Sequence, residues 1–349
     1  MGAPIKRITE WWHNENFDTV IDVRTPAEFE DDHIPGAINL PVFSNQQRID
    51  IGTMYKQTGS FEAKRAGAAL VAQNIASHLQ ESLSDKPRNW RPLVYCWRGG
   101  QRSGAMAQIL SDIGWHVMVI DGGYKRYRRD ILANLDHIPA KLRFIKVGGV
   151  TGTAKTHILR AARDQGAQVI DLEGLAKHRG SLLGIEPKID QPAQRLFESG
   201  IAYCLSQFDV SRPVFVEAES NKIGHLHIPA ALFAAMRSAK TALITASVSA
   251  RVAFLKRDYQ HMTSEPQRLL PLFDGLVKRY GHDIIDNWKA LCASGDWDGL
   301  VTDLLETHYD PAYKRSANAH GHDVILTIDG GELDTLSIAK AASQLVSIT

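Results

Sequence analysis

Twice in this chain a short apolar run breaks into a glycine-rich loop that opens straight into a helix pattern. The first run is PLVYC (92–96), followed by WRGGQR and then SGAMAQILSDIG (103–114), which stops at Gly114. The second is FIKVGGV (144–150), followed by TGTAK and then THILRAARDQG (156–166). Around the first junction lie strand patterns at FDTVIDVR (17–24), AINLPV (37–42) and VMVIDGG (117–123), with a helical pattern over 62–80. Around the second lie QVIDLEG (168–174), PVFVEAES (213–220), ALITASV (242–248) and DVILTIDG (323–330). Strands alternating with helices predict α/β layers built on mostly parallel sheets.

At 349 residues the chain exceeds one ordinary core. The alternation restarts after HIPAKLR (137–143), so two domains are expected, 1–138 and 139–349, the second with helical additions. A formal net charge of +1 provides no global basic field, so any nucleic-acid partner must find a local patch. The three cysteines, Cys96, Cys204 and Cys292, are too far apart for a zinc pair or a disulfide framework, and a reducing cytoplasm is the expected compartment. The opening MGAPIKRITEWWHNE has no apolar leader core, and no run approaches the roughly 20 residues of a membrane span. No membrane partner is expected.

Cys96 stands where a strand becomes a loop, the position at which open α/β sheets place ligands. Arg98 and Arg102 bring positive charge, and Gly99 and Gly100 let consecutive backbone N–H groups curl into an anion nest. The helix opening near Ser103 adds its positive end. Each effect favours thiolate over thiol. Trp97, Gly99, Gly100, Gln101 and Ser103 complete the predicted anion loop around the catalytic candidates Cys96, Arg98 and Arg102. The cradle suits a phosphate or a transferable anionic chalcogen, and the loop by itself does not decide between them.

IDVRTPAEFEDDHIPGAINLPV (21–42), the cysteine loop and VIDGGYKRYRR (119–129) together resemble a rhodanese domain. That resemblance implies a loop cysteine carrying a transferable chalcogen, with Asp22, Arg24, His33 and Gly36 as scaffold. In one respect the loop departs from many rhodaneses. Five residues, WRGGQ, separate Cys96 from Arg102, the Cys-x5-Arg spacing of cysteine phosphatases.

VGGVTGTAKTHIL (147–159) resembles a P-loop, with Gly149, Thr151, Gly152, Thr153, Lys155 and Thr156 as the predicted diphosphate cradle. Ala154 stands where the pattern has a second glycine, and alanine there costs about 1–2 kcal/mol if the position needs positive φ. Asp171 and Glu173 follow one strand, and Glu217 and Glu219 end another. Asp171, Glu217 and Glu219 are candidates for acid/base work or for holding Mg²⁺.

A rhodanese domain with a Cys-x5-Arg loop, joined to a divergent P-loop domain, resembles the tRNA 2-selenouridine synthase family. DLEGLAKHRGS (171–181), FVEAESNKIG (215–224) and LLETHYDPAYKRS (304–316) extend the likeness over nearly the whole chain. The resemblance implies exchange of the 2-sulfur of wobble 2-thiouridine for selenium, in tRNAs for Lys, Glu and Gln. It implies selenophosphate as donor and a selanylcysteine at Cys96. It also implies geranylation of the thiouridine sulfur by geranyl diphosphate. No tightly bound cofactor and a monomeric state are expected. For the tRNA, the basic cluster Lys125, Arg126, Arg128 and Arg129, interleaved with Tyr124 and Tyr127 for stacking, is the first candidate. Lys64, Arg65, Lys278 and Arg279 are weaker ones. The competing readings are a cysteine phosphatase or sulfurtransferase fused to a nucleotide-binding regulator, and a non-enzymatic binding module.

Overall fold

The computed structural model describes residues 4–9, 17–179, 190–218, 220–320 and 323–348. The chain divides into two compact units, 1–135 with 192–206, and 136–191 with 207–349. The helix Gln194–Ser206 thus packs in the first unit although it follows strands of the second.

The first unit holds β1 (Lys6–Ile8), β2 (Thr19–Asp22), β3 (Ile38–Asn39), β4 (Pro92–Tyr95) and β5 (Met118–Ile120). They form one sheet in the order β1-β5-β4-β2-β3, parallel throughout. All four residues of β4 are buried, because a central parallel strand is covered on both faces. The helix Gln101–Ile113 covers one face with Met106, Ala107 and Leu110, one stripe of a 3.6-residue period. These pack with Ile21, Val94, Val119, Ile75 and Trp115.

The second unit holds β6 (Arg143–Gly148), β7 (Gln168–Ile170), β8 (Pro213–Glu217), a short antiparallel pair β9 (Lys222–Ile223) and β10 (Leu226–His227), then β11 (Lys240–Thr245) and β12 (Val324–Asp329). Its main sheet runs β12-β11-β6-β8-β7, again all parallel. The helix Lys155–Asp164 lays Ile158, Leu159 and Ala162 on it. The helical additions form a separate cluster around Phe273, Ile285, Trp288, Cys292 and Leu300.

Among the described residues nine strands fall on the sequence patterns, most with shorter bounds, although β6 starts at Arg143 and β11 at Lys240, ahead of theirs; β1, β9 and β10 fall on none. AINLPV yields only two paired residues, and DLEG leaves β7 for the short helix Leu172–Ala176. In both sheets the middle strand, β4 or β6, delivers the glycine-rich loop. Within each sheet the connections reverse beside that strand, β4 going on to β5 but its neighbour β2 to β3, and β6 to β7 but its neighbour β8 to the β11 side, and such a reversal opens a crevice at the carboxyl ends.

Candidate functional sites: a thiol loop and a phosphate loop

Cys96 is 3% exposed at the end of β4. Burial alone would raise its pKa. Hydrogen bonds from the Ser103 side chain and from the backbone N–H groups of Ser103, Arg98 and Gly100 outweigh it and hold the thiol below its ordinary value. Ser103 Oγ lies 3.2 Å from Sγ. Ser103 is in the first turn of the helix Gln101–Ile113, which starts two residues earlier than its sequence pattern, so its positive end faces the sulfur.

The VIDGG turn seats the loop. The N–H groups of Tyr124 and Lys125 donate to the carbonyls of Cys96 (2.8 Å) and Trp97 (3.0 Å). Gly99 has φ +68°, and a Cβ there would come within 2.7 Å of the Ile120 carbonyl oxygen. Neither the conformation nor the space admits a side chain.

The two loop arginines differ. Arg102 is gripped by Glu28, with hydrogen bonds of 2.8 and 3.3 Å from Nη1 and Nη2. Glu28 also closes the capping box of the helix Pro26–Asp31 through Thr25. Arg98 lines the open pocket of about 530 Å³ over Cys96, with Trp97, Gly100, Gln101 and Arg102. Phe43 and Arg48 line it too. Neither is singled out by the sequence patterns, because each is brought in from a segment about 50 residues upstream.

The four predicted scaffold residues lie on β2 and in the segment that follows it. Arg24 is 1% exposed, donates to both Asp22 oxygens, and stacks 3.9 Å over the Tyr124 ring centroid. His33 stacks on Phe29 and Gly36 takes φ +81°.

In the second unit the glycine-rich loop after β6 places Gly149 at φ +150° and Gly152 at φ +84°. Ala154 is left-handed, φ 56° and ψ 28°, at the N-cap of the helix Lys155–Asp164. The position does require the glycine conformation, and alanine adopts it at a cost. Lys155 Nζ folds back on the carbonyls of Gly149 (2.9 Å) and Val150 (3.4 Å), and Thr153 Oγ1 donates to Val150 O. The loop is braced from far along the chain. Arg251 donates to Thr151 O and makes a twofold pair with Asp310, and the Tyr313 hydroxyl accepts from the Gly149 N–H. Asp310 and Tyr313 follow a single π-helical turn, Leu304–Tyr309, an irregularity common at functional sites.

A pocket of about 380 Å³ opens over this loop. Thr151, Lys155 and Thr156 line it together with Arg160, Lys177 and Arg179 and with two carboxylates, Glu173 and Asp258, of which Asp258 pairs with Arg179. Beside it, sharing Thr151, Leu255 and Tyr259, runs a crevice lined by Met262, Leu269, Trp297 and Leu300. At about 70 Å³ the crevice is far below the ~300 Å³ of a typical small-molecule pocket, so it admits only a slender apolar part of a ligand.

The predicted carboxylates divide. Asp171 caps the helix Leu172–Ala176 and pairs with Arg160 at 2.6 Å, so it is committed to structure. Glu217 is fully buried. One oxygen accepts from the Leu172 N–H, and the other has no hydrogen-bond partner. Burial, with the charges of Asp171 and Glu173 beside it, pushes its carboxyl well up. Glu173 accepts a 2.6 Å hydrogen bond from Thr156, and burial raises it too. Glu219 lies outside the described residues. No three His, Cys, Asp or Glu side chains among the described residues are grouped to hold a metal ion.

The basic cluster is divided between a buried and an exposed face. It lies on the helix Gly123–His137, whose buried face is Tyr124, Tyr127, Ile131 and Leu135. Tyr124 donates to Asp32 at 2.9 Å and Tyr127 is wholly buried, so neither is open for base stacking. Arg128 also points inward, paired with Glu198 of the helix Gln194–Ser206 and lying 3.6 Å from Asp32. Lys125 and Arg129 remain exposed, and Arg126 is half-buried over Gly122, 3.7 Å from Asp130. Lys64 and Arg65 lie on the helix Ser60–Gln80, where Arg65 pairs with Glu62. Lys278 and Arg279 lie on the short helix Val277–Tyr280.

A parallel sheet delivering a buried, activated thiol, followed by one delivering a P-loop, defines a rhodanese-like unit joined to an AAA-type unit. A family profile described as "Rhodanese-like domain" matches residues 7–130, and one described as "tRNA 2-selenouridine synthase AAA domain" matches 142–272. A tRNA 2-selenouridine synthase of Shewanella halifaxensis is 30% identical over 348 residues, covering 90% of this chain and 93% of that protein. One of Nitrosomonas europaea is 35% identical over 244 residues, 69% of this chain, and the match spans only 63% of that relative's length. One of Shewanella pealeana is 30% identical over 86% of this chain and 88% of its own. A solved N-terminal domain of a putative ATP/GTP binding protein from Clostridium difficile is 36% identical, covers 37% of this chain and 99% of its own, and has a TM-score of 0.33. The chain belongs to the tRNA 2-selenouridine synthase family. None of its described helices is long and apolar enough to cross a membrane.

Proposed function

We propose that this protein is a tRNA-modifying transferase that replaces the 2-sulfur of wobble 2-thiouridine with selenium from selenophosphate. The observation that carries the reading is the Cys96 loop, a thiol held below its ordinary pKa under an arginine-lined anion pocket. The relatives' name supplies the tRNA and the selenium; the loop supplies a nucleophile for an anionic donor.

A 2-thiocarbonyl sulfur is a poor leaving group until it is alkylated. The second unit fits the preparatory step, transfer of a geranyl group from geranyl diphosphate. The pocket over this loop would hold the diphosphate, with Lys155 and the loop N–H groups stabilising its departure. The adjoining apolar crevice would take the thin alkenyl tail. Thr156 and Glu173, rather than Asp171, would be the residues to hold a Mg²⁺, which would supply positive charge to the departing diphosphate. The tRNAs for Lys, Glu and Gln are the proposed acceptors, met in part by the exposed Lys125 and Arg129.

A crossed assay tests both halves. Lys155→Ala is expected to lose geranyl transfer by orders of magnitude while still selenating tRNA that already carries the geranyl group. Cys96→Ser is expected to geranylate but not selenate, read as modified nucleosides by mass spectrometry. Normal geranylation by Lys155→Ala, or normal selenation by Cys96→Ser, overturns the corresponding half.

A further inference from the structure

We propose that the helix Asn45–Gln57, with the start of the helix Ser60–Gln80, receives the single-stranded anticodon loop of the tRNA. Tyr55 and Phe61 are its stacking surfaces, and Arg48 and Lys56 are its phosphate contacts. The inference rests on the reading of a tRNA as substrate. It deepens that reading by assigning the surface that meets the loop. The cluster at 125–129 does not supply one, since its tyrosines are buried.

The helix Asn45–Gln57 buries none of its residues. It leans on the helix Ser60–Gln80 with one side. Ile51 lies over Gly67, and Gln47 accepts a 2.8 Å hydrogen bond from Asn74. A second stripe faces away from that contact. Arg48, Gly52, Tyr55 and Lys56 stand at i, i+4, i+7 and i+8, which puts them on one side of the helix. Arg48 lines the pocket over Cys96, and its Nη1 would lie 3.6 Å from a Cβ at Gly52, so the guanidinium runs along this stripe. With no side chain of its own, Gly52 leaves the middle of the stripe low. Tyr55 stands seven residues on from Arg48, about 10 Å along the axis. It is 55% exposed, and across the turn at Thr58 and Gly59, Phe61 is 71% exposed.

Rings held out in water beside cations are what single-stranded RNA binds, because every base has a face to stack and every link a phosphate to neutralise. Neither Arg48 nor Lys56 has an ion-pair partner among the described residues. The acids of the hairpin are engaged or turned away. Glu62 pairs with Arg65. Asp50 accepts from Gln46 and stands two residues from Arg48, hence on the far side of the helix. The stripe therefore carries uncompensated positive charge, which favours a polyanion and opposes pairing with a second copy of itself. It also begins at the pocket wall. An RNA loop that presents one base at the pocket lays its neighbours over Gly52 and Tyr55. A duplex offers no unstacked bases to the rings, so the loop rather than the stem is the fitting element.

The test uses the full chain and an anticodon stem–loop RNA with 2-thiouridine at the wobble position. Binding is read by fluorescence anisotropy across a salt titration. Tyr55→Ala is expected to weaken binding roughly tenfold, and Tyr55→Phe, which keeps the ring, to stay within about twofold of wild type. Lys56→Ala is expected to lower the slope of log affinity against log salt by about 0.7, one single-strand phosphate contact. Both side chains are exposed, so the unfolding midpoints of these variants should match wild type. Wild-type affinity in Tyr55→Ala overturns the proposal, and so does a Tyr55→Phe variant as weak as Tyr55→Ala. A dimer that Tyr55→Ala dissociates, with RNA affinity unchanged, gives the face to a second copy and overturns it too. If the wild-type protein binds neither the stem–loop nor intact tRNA, the reading of a tRNA substrate fails. If it binds both and the variants bind equally well, only this interface fails.

Discussion

Glu28 holds Arg102 across 74 residues of sequence, with its two carboxylate oxygens 2.8 and 3.3 Å from the guanidinium nitrogens. The second arginine of the thiol loop is therefore fixed from outside the loop, by a residue whose other task is to cap a helix. Burial would raise the Glu28 carboxyl, and Arg102 with Thr25 brings it below its ordinary value. A depressed carboxylate contributes stability above its unfolded pKa and loses it as pH falls. Glu28→Gln is expected to lower selenium transfer at least tenfold. It should also remove part of the acid sensitivity below pH 4.5, read from urea midpoints against pH. Unchanged transfer would make Arg102 a structural residue alone.

The Cys96 thiol is expected to alkylate with iodoacetamide along a pH profile whose inflection lies below the 9.0 of an ordinary thiol. Ser103→Ala removes one of the hydrogen bonds that favour the thiolate, so the inflection should move up. A wild-type inflection at or above the ordinary value would mean that burial wins.

Ala154→Gly is expected to raise stability by about 1 kcal/mol, because glycine enters the left-handed region without the Cβ penalty. Urea unfolding at constant m-value measures it. Ala154→Val, β-branched at the same φ, is expected to destabilise.

Within the basic cluster, Arg128 and Arg129 are expected to behave oppositely. Arg128→Ala leaves Glu198 and the buried Asp32 without their cation and should cost about 2–4 kcal/mol of stability. Arg129→Ala should leave stability within about 0.5 kcal/mol. It should lower the salt dependence of tRNA binding by about one phosphate contact. A filter-binding salt titration of Arg129→Ala and thermal unfolding of both variants decide this.

The two loops were legible because their chemistry is local. A strand end, glycines, a thiol or a lysine and a helix start all lie within a dozen residues, and the fold sets them as the spacing implies. Their supports were not legible, because Glu28, Arg48, Arg251 and Tyr313 reach the loops only through sheet topology. The tyrosines of KRYRR illustrate a signal present but overshadowed. Tyr124, Tyr127, Ile131 and Leu135 stand at helical spacing, an apolar stripe that outranks their value as stacking rings. Arg128 shares that stripe's edge, one turn after Tyr124, which is why its charge turns inward.

The helix Gln194–Ser206 ties the folding of the first unit to a distant part of the chain. It belongs to the first unit and is encoded inside the stretch that builds the second, with Glu198 meeting Arg128. No single scission of the polypeptide liberates both halves whole. A fragment ending at residue 138 would keep the thiol loop yet lack the helix that neutralises Arg128. The two units are therefore interleaved along the chain and cannot be exchanged between relatives as simple cassettes.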